Sequence, residues 1–192
     1  MQKRILFLHG FYASGSCVPA LALKEAFEKR ATVLSPDLPI HPADAIKFIR
    51  EICDREKPDV LVGNSCGSFY AQMISPIIGV PALLGNPHFK MSEFLRERIG
   101  HHRYKSPRAD GKQDFTITEE LVNEFEELEA HQFDCCNNII RNAYGDSSAK
   151  RTHWPSSSHC FWSIISIAIT SQVATHLRQS SSKPGTVRSS RK

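Results

Sequence analysis

A serine between two glycines, at the junction of two apolar stretches, constrains this chain most. The apolar run 60–62 leads directly into Gly63-Asn64-Ser65-Cys66-Gly67, and a helix is predicted over 68–74. Strand, sharp turn and helix, with a serine at the turn, form the pattern of a nucleophile elbow. The turn is so tight that small residues are needed on both sides of the serine, and Gly63 and Gly67 supply that room. The serine then lies at a helix N-terminus, where free backbone N–H groups can hold a developing negative charge.

A second motif lies near the start of the chain. Residues 5–8 are four consecutive apolar residues, which predict a buried first strand, and His9-Gly10 ends it. In enzymes with such an elbow, the loop after an early strand supplies one oxyanion N–H and the residue after the nucleophile supplies the other. We expect these donors to be the amides of Phe11 and Cys66, with His9 and Gly10 as further residues of the same oxyanion and substrate-binding loop. Each donor can lower the barrier by roughly 3–4 kcal/mol.

Residues 3–134 resemble the α/β-hydrolase superfamily and, within it, the small YqiA-like bacterial esterases. The segment 6–11 is similar to that group's opening strand and oxyanion loop, and the segment 35–39 is similar to the loop at the end of its second strand. The segment 63–67 matches the elbow, with Cys66 where Leu or Met is more usual, and 83–87 resembles the strand after the elbow helix. The resemblance implies a serine nucleophile, an acyl-enzyme intermediate and no cofactor.

The first half of the chain alternates between strands and helices. Strands are predicted at 4–8, 31–34, 59–62 and 81–84, and helices at 18–30, 42–56 and after the elbow. An apolar stripe marks the first two helices, at Leu21, Leu23, Ala26 and Phe27 and at Ala45, Ile46, Ile49, Ile52 and Cys53. Strands with continuous apolar runs, separated by helices, predict an α/β fold with a mostly parallel sheet flanked by helices.

Residues 88–134 break this rhythm and predict a small helical cap. Helices are expected over 93–99 and 118–132, the second opening with Thr118 as an N-cap. The polar stretch 101–111 is either a lid that contacts substrate or a surface excursion. His88 follows a strand at the edge where active sites of open α/β sheets lie, so it is either a substrate contact or a surface residue.

Charge is divided unevenly along the chain. Residues 1–134 carry 16 basic and 19 acidic side chains, whereas 135–192 carry 8 basic side chains and one acid, Asp146. Length predicts one domain, 1–178, followed by a basic tail at 179–192 that we expect to be disordered. No apolar run approaches the ~20 residues that span a bilayer, and the N-terminal run is too short for a signal peptide, so a cytoplasmic location is expected.

The resemblance also implies an acid and a base after the cap, in the chain order Ser, Asp or Glu, His. Asp146 is the predicted acid, since Ser148 occupies the position where the family usually keeps its catalytic carboxylate. His159 is the predicted base because small residues precede it and a strongly apolar segment follows; His176 is the alternative, and the absence of any functional base is a third. A reading-frame shift near residue 135 is one hypothesis for the poor match there, and ordinary divergence is the other.

These patterns predict a serine esterase or thioesterase that acts on a small acyl ester or thioester, without cofactor or metal. The cysteines lack metal-ligand spacing, and the adjacent His101 and His102 cannot both face one ion from a regular element. No nucleic-acid or membrane partner is expected, and the oligomeric state stays open. Two alternatives remain: a hydrolase-fold binding protein with an incomplete triad, and a nucleic-acid binder that uses the basic end.

Overall fold

The computed structural model of the chain describes residues 2–134. The predicted tail, 179–192, and the end of the predicted domain therefore lie outside the described residues. In chain order the elements are β1 Lys3–Leu8, α1 Val18–Phe27, β2 Ala31–Leu34, α2 Pro42–Glu56, β3 Val60–Asn64, α3 Cys66–Ile78, β4 Ala82–Gly85, α4 Met91–Arg96, β5 Gly100–Arg103, β6 Asp114–Ile117 and α5 Glu119–Ala130.

Four of the strands form one parallel sheet, in the order β2-β1-β3-β4. Because the strands are parallel, their carboxyl ends meet at one edge, where the loops after Leu8, Leu34, Asn64 and Gly85 come together. Helices follow the strands in the sequence, as expected for βαβ units. The predicted α/β fold with a mostly parallel sheet flanked by helices is confirmed.

The two faces of the sheet bury different side chains. Leu6, Leu8 and Leu61 belong to the large core, which also contains the buried residues of α2, α3, α4 and α5. Phe7 alternates to the opposite face and packs with Cys17 and Ala20 at the start of α1. The predicted stripe of α2 is confirmed, since Ala45, Ile49, Ile52 and Cys53 are buried and Ile46 packs against the core.

Helix α1 differs from its prediction in length and orientation. It ends at Phe27, three residues before the predicted end at residue 30. The residues that pack against the sheet are Cys17, Ala20 and Leu23. Of the predicted stripe, Leu23 packs against this smaller core, whereas Leu21 is 52% exposed and Ala26 is also exposed. The apolar spacing correctly predicted a helix there but identified only part of its buried face.

The predicted cap contains both expected helices, as α4 and α5, and also an antiparallel hairpin of β5 and β6. We call residues 100–117 the cap hairpin. Thr118 is the N-cap of α5, as predicted, because its side chain accepts a hydrogen bond from the Leu121 N–H at 3.2 Å. Among the described residues, no helix is both long and apolar enough to cross a membrane.

Candidate active site

Ser65 lies in the sharp turn between β3 and α3. Its backbone has φ 54° and ψ −119°, a conformation that costs a non-glycine residue about 1–3 kcal/mol. The flanking glycines make the turn sterically allowed. A Cβ on Gly63 would lie 2.5 Å from the Gly67 carbonyl oxygen, and a Cβ on Gly67 would overlap the Leu8 carbonyl. The predicted elbow is therefore present, including the room its glycines were expected to supply.

Backbone hydrogen bonds hold this turn against the neighbouring strand. The Ser65 N–H donates to the Gly85 carbonyl at 2.9 Å, and the Ser68 hydroxyl donates to the same oxygen at 2.9 Å. The Ser65 side chain does not cap its own helix, and the residue is partly exposed among residues 2–134. Ser65 is therefore not sealed inside the described core.

The loop after β1 lies directly beside this serine. A Cβ built on Gly10 would stand 3.3 Å from Ser65 Cβ and 3.7 Å from Ser65 Oγ, so the loop backbone passes close to the serine side chain. Within the described part of the chain, the N–H groups of Phe11 and Cys66 donate no hydrogen bond. The Cys66 N–H is also the first of the unpaired donors at the N-terminus of α3, where the helix dipole favours negative charge.

His9 lies buried beneath this loop, only 3% exposed. Its Nε2 accepts a hydrogen bond from the Leu38 N–H at 2.9 Å, so the ring carries its proton on Nδ1, which donates to the Gly10 carbonyl at 2.9 Å. Burial lowers the pKa of His9 from its ordinary value; the Gly10 hydrogen bond and Asp37 oppose this shift, and Arg108 adds to it. The imidazole is therefore neutral near pH 7, and both of its nitrogens are engaged.

A small cavity opens beside Phe11 and Cys66. Its volume is about 10 Å³, room for about one water molecule. Its walls come from the loop after β1, the loop after β2, the elbow and the cap hairpin, through residues that include Phe11, Leu38, Ile40, Cys66, Tyr70 and Tyr104. Within the described part of the chain, most of the lining residues are apolar or aromatic, and Ser65 is not one of them.

The cap hairpin is fastened to the loops that form this cavity. The carboxylate of Asp37 accepts hydrogen bonds from the N–H groups of Gly15 and Ala109, each at 2.7 Å. The Ser14 hydroxyl donates to the Pro107 carbonyl at 2.7 Å, and the Lys105 N–H donates to the Tyr12 carbonyl at 2.8 Å. The predicted lid region 101–111 thus contacts the candidate site.

Aromatic rings fill the space between the loop and the cap. The Phe11 ring makes edge-to-face contacts with Phe115 of the cap hairpin at 5.7 Å and with Phe125 of α5 at 5.9 Å. Tyr104 also packs on Phe115, at 4.4 Å between ring centroids. Because the Phe11 side chain is held in this cluster, its backbone is held as well.

The Cys66 thiol is not a competing nucleophile. It is 2% exposed, and burial raises its pKa to about 12, against a smaller opposing effect of its hydrogen bond with Tyr70. Desolvation also raises the pKa of Tyr70 well above its ordinary value. A thiol that stays protonated at neutral pH is unreactive.

A comparison with known protein families gives one match, to the family described as Uncharacterised protein family (UPF0227), over residues 4–140. The chain belongs to this family. The UPF0227 match begins within β1, continues beyond α5, and so includes the elbow, the loop after β1 and the segment 88–134. Every residue that lines the cavity lies inside the matched range.

The predicted acid and base lie outside that range. Asp146, His159 and the alternative base His176 follow the end of the UPF0227 match and fall outside the described residues. Among residues 2–134, no imidazole hydrogen-bonds Ser65 Oγ. The ring nitrogens of His9, His101 and His102 are bonded instead to backbone or to Thr116, and His88 Nδ1 is buried without a partner.

Sequence reasoning missed the residues that fasten the cap. Asp37 was noted only as part of the loop after the second strand. Its hydrogen bond with the Ala109 N–H joins positions 72 residues apart. Tyr104 and Arg108 belonged to a stretch read as polar, yet the Arg108 side chain is 10% exposed and stacks on the Tyr104 ring at 4.7 Å. An Asp in the loop that follows a strand, at the carboxyl edge of a parallel sheet, was the one usable signal.

Proposed function

We propose that this member of the UPF0227 family is a serine esterase or thioesterase of the α/β-hydrolase type. The observation that carries the proposal is the position of Ser65. It occupies a strained elbow at φ 54°, the backbone of Gly10 approaches its side chain closely, and the N–H groups of Phe11 and Cys66 have no partner among residues 2–134. Strained backbone at a helix N-terminus costs stability and is commonly found at functional sites.

In the proposed reaction, Ser65 Oγ attacks the carbonyl carbon of the substrate and its proton passes to an imidazole base, His159. Asp146 orients that base. The carbonyl oxygen becomes an oxyanion, which accepts hydrogen bonds from the N–H groups of Phe11 and Cys66. Collapse of the intermediate expels the alcohol or thiol, which takes the proton from the imidazolium. Water, deprotonated by the same imidazole, then attacks the acyl-serine and releases the acid and the free serine hydroxyl.

The size and lining of the cavity beside Phe11 and Cys66 favour a small acyl group. Its volume of about 10 Å³ has room for about one water-sized group, and its walls at Leu38, Ile40 and Phe11 are apolar. Among residues 2–134, no Asp, Glu, Lys or Arg side chain lines it. A neutral, short-chain ester or thioester is therefore the substrate class that we propose.

The test is covalent labelling of Ser65 with a fluorophosphonate probe, together with turnover of p-nitrophenyl acetate. We expect both in the full-length protein and neither in Ser65→Ala. A matched control is Ser75→Ala, which removes a hydroxyl near the other end of helix α3, where it donates to the Val80 carbonyl at 2.6 Å. His159→Ala should lower kcat, and an equal fall in His176→Ala alone would move the base to that residue.

The second candidate is a hydrolase-fold binding protein without turnover. One observation favours it: within residues 2–134, Ser65 Oγ has no hydrogen bond to an imidazole, so no base is in place there. Folded protein that neither reacts with the fluorophosphonate nor hydrolyses the ester would support this candidate over the enzyme.

A further inference from the structure

The buried imidazole of His9 controls one peptide unit of the proposed oxyanion hole. The carbonyl of Gly10 accepts two hydrogen bonds, one from His9 Nδ1 at 2.9 Å and one from the Ala13 N–H at 2.9 Å. That carbonyl belongs to the same planar peptide unit as the Phe11 N–H. In a trans peptide the C=O and N–H bonds point in opposite directions, so fixing the carbonyl also fixes the direction of the N–H.

The peptide unit held in this way belongs to the loop beside the proposed nucleophile. A Cβ on Gly10 would lie 3.3 Å from Ser65 Cβ and 3.7 Å from its Oγ, so the Gly10 backbone is close to the serine side chain. The Phe11 N–H points away from the His9 ring, and it finds no partner among residues 2–134. An N–H on this loop whose direction is fixed by a buried side chain can act as a preorganised donor.

We infer that His9 is a positioning residue of this site: its Nδ1–H holds the Gly10–Phe11 peptide in the orientation that presents the Phe11 N–H to the substrate oxyanion. The inference rests on the proposed function. His9 itself does not touch the reacting atoms, because the ring is buried and both nitrogens are bonded to backbone.

The other ring nitrogen has a separate task. His9 Nε2 accepts from the Leu38 N–H, and Leu38 and Ile40 form the wall of the cavity that faces Phe11. One nitrogen thus orients the oxyanion donor, and the other holds the loop that shapes the cavity. The two tasks are separable because the amide of Asn places an N–H near the position of Nδ1, whereas the amide of Gln places an oxygen near the position of Nε2.

The experiment compares His9→Asn with His9→Gln in the full-length protein. His9→Asn keeps a donor for the Gly10 carbonyl, so we expect kcat for p-nitrophenyl acetate to fall only a few-fold. His9→Gln loses that donor, and because a small misplacement of a catalytic group costs about 100-fold, we expect a loss of about 100-fold in kcat with little change in KM. The rate of Ser65 phosphonylation should follow the same order. His131→Gln, an exposed imidazole after α5, is the control.

Spectroscopy separates a failure of this inference from a failure of the proposed function. Nitrogen-15 NMR of the wild type should show a neutral His9 with the proton on Nδ1, and the Phe11 amide resonance should move in His9→Gln but little in His9→Asn. If the wild type neither labels nor hydrolyses, the hydrolase proposal falls, while these resonances still decide the role of His9. Equal effects of the two variants on kcat and on the Phe11 amide, or a proton on Nε2, would overturn the inference.

Discussion

Gly10 and Ser65 come from different loops, yet a side chain at position 10 would meet the side chain of Ser65 at the carboxyl edge of the sheet. A Cβ on Gly10 would stand 3.3 Å from Ser65 Cβ and 3.7 Å from its Oγ. Glycine at position 10 therefore leaves space beside the Ser65 side chain, whereas Gly63 and Gly67 are required by the backbone of the turn.

Gly10→Ala should impair the reaction more than the fold. A contact of 3.3 Å can be relieved by a shift of a few tenths of an ångström, so we expect a loss of about 1 kcal/mol in the free energy of unfolding. The methyl group would push the Phe11 N–H or the serine hydroxyl out of position, and kcat should fall about 100-fold. Urea denaturation and ester hydrolysis measure the two effects. Wild-type kcat in Gly10→Ala would show that this approach is not part of the site.

Gly67→Ala should impair the fold more than the reaction. Its Cβ would overlap the carbonyl of Leu8 in the central strand, and neither backbone can move without breaking the sheet. We expect a loss of more than about 3 kcal/mol, at the upper end of overpacking effects, seen as a lower urea midpoint. Gly79→Ala is the matched control: nothing lies within 4 Å, so only its left-handed φ of 68° is penalised, by about 1 kcal/mol. Equal losses in the two variants would contradict the close packing at Gly67.

The parts of this fold that sequence predicted are those in which local pattern and tertiary packing agree. The stripe of α2 runs from Ala45 to Cys53, about two and a half turns, and the elbow requires glycines at fixed positions on both sides of Ser65, so each signal has few competing explanations. In α1 the apolar residues are nearly continuous, so periodicity did not select a face, and contact with Phe7 decided it.

The cap hairpin was not predicted because its strands are four residues each and mostly polar. Alternation is present, with Phe115 and Ile117 turned inward, but two inward positions do not separate a strand from a loop. The fastening of the hairpin by Asp37 depends on contacts between distant parts of the chain, which no local pattern encodes. The hydrogen bond between His9 and Leu38 was not predictable either, because it joins the loop after β1 to the loop after β2.

Asp37→Asn should loosen the cap hairpin. The carboxylate accepts two N–H groups, from Gly15 and Ala109, whereas an amide has one oxygen and would place an NH₂ against the second N–H. We expect a loss of about 1–3 kcal/mol and faster hydrogen exchange at Ala109 and Lys105. Asp54→Asn is the control, since its side chain is 80% exposed and its ion pair with Lys57 is long, at 3.7 Å. Unchanged exchange in Asp37→Asn would show that the hairpin is held by its aromatic contacts alone.

Two buried thiols should resist alkylation in the folded protein. Burial raises the pKa of Cys53 to about 11 and that of Cys66 to about 12, so almost no thiolate is present at pH 8. We expect iodoacetamide to spare both residues in native protein and to modify both in urea, as read by peptide mass spectrometry. Rapid modification of Cys66 in the native state would mean that the thiol reaches solvent, and it would reopen the question of which elbow side chain is the nucleophile.

Acid should destabilise the wild type more than His9→Asn. Burial lowers the pKa of His9 in the folded state, while the unfolded chain titrates near 6.5. Below pH 6.5 the unfolded state therefore binds a proton that the folded state does not, and the free energy of unfolding falls as the pH falls, by at most about 1.4 kcal/mol per pH unit. Urea denaturation of both proteins at pH 7.5, 6.5 and 5.5 measures the difference, since the remaining histidines are common to both. A difference that grows in favour of the wild type at low pH would require an imidazolium in the fold. That cation has no lone pair for the Leu38 N–H, so such a result would contradict the hydrogen bond that fixes the ring.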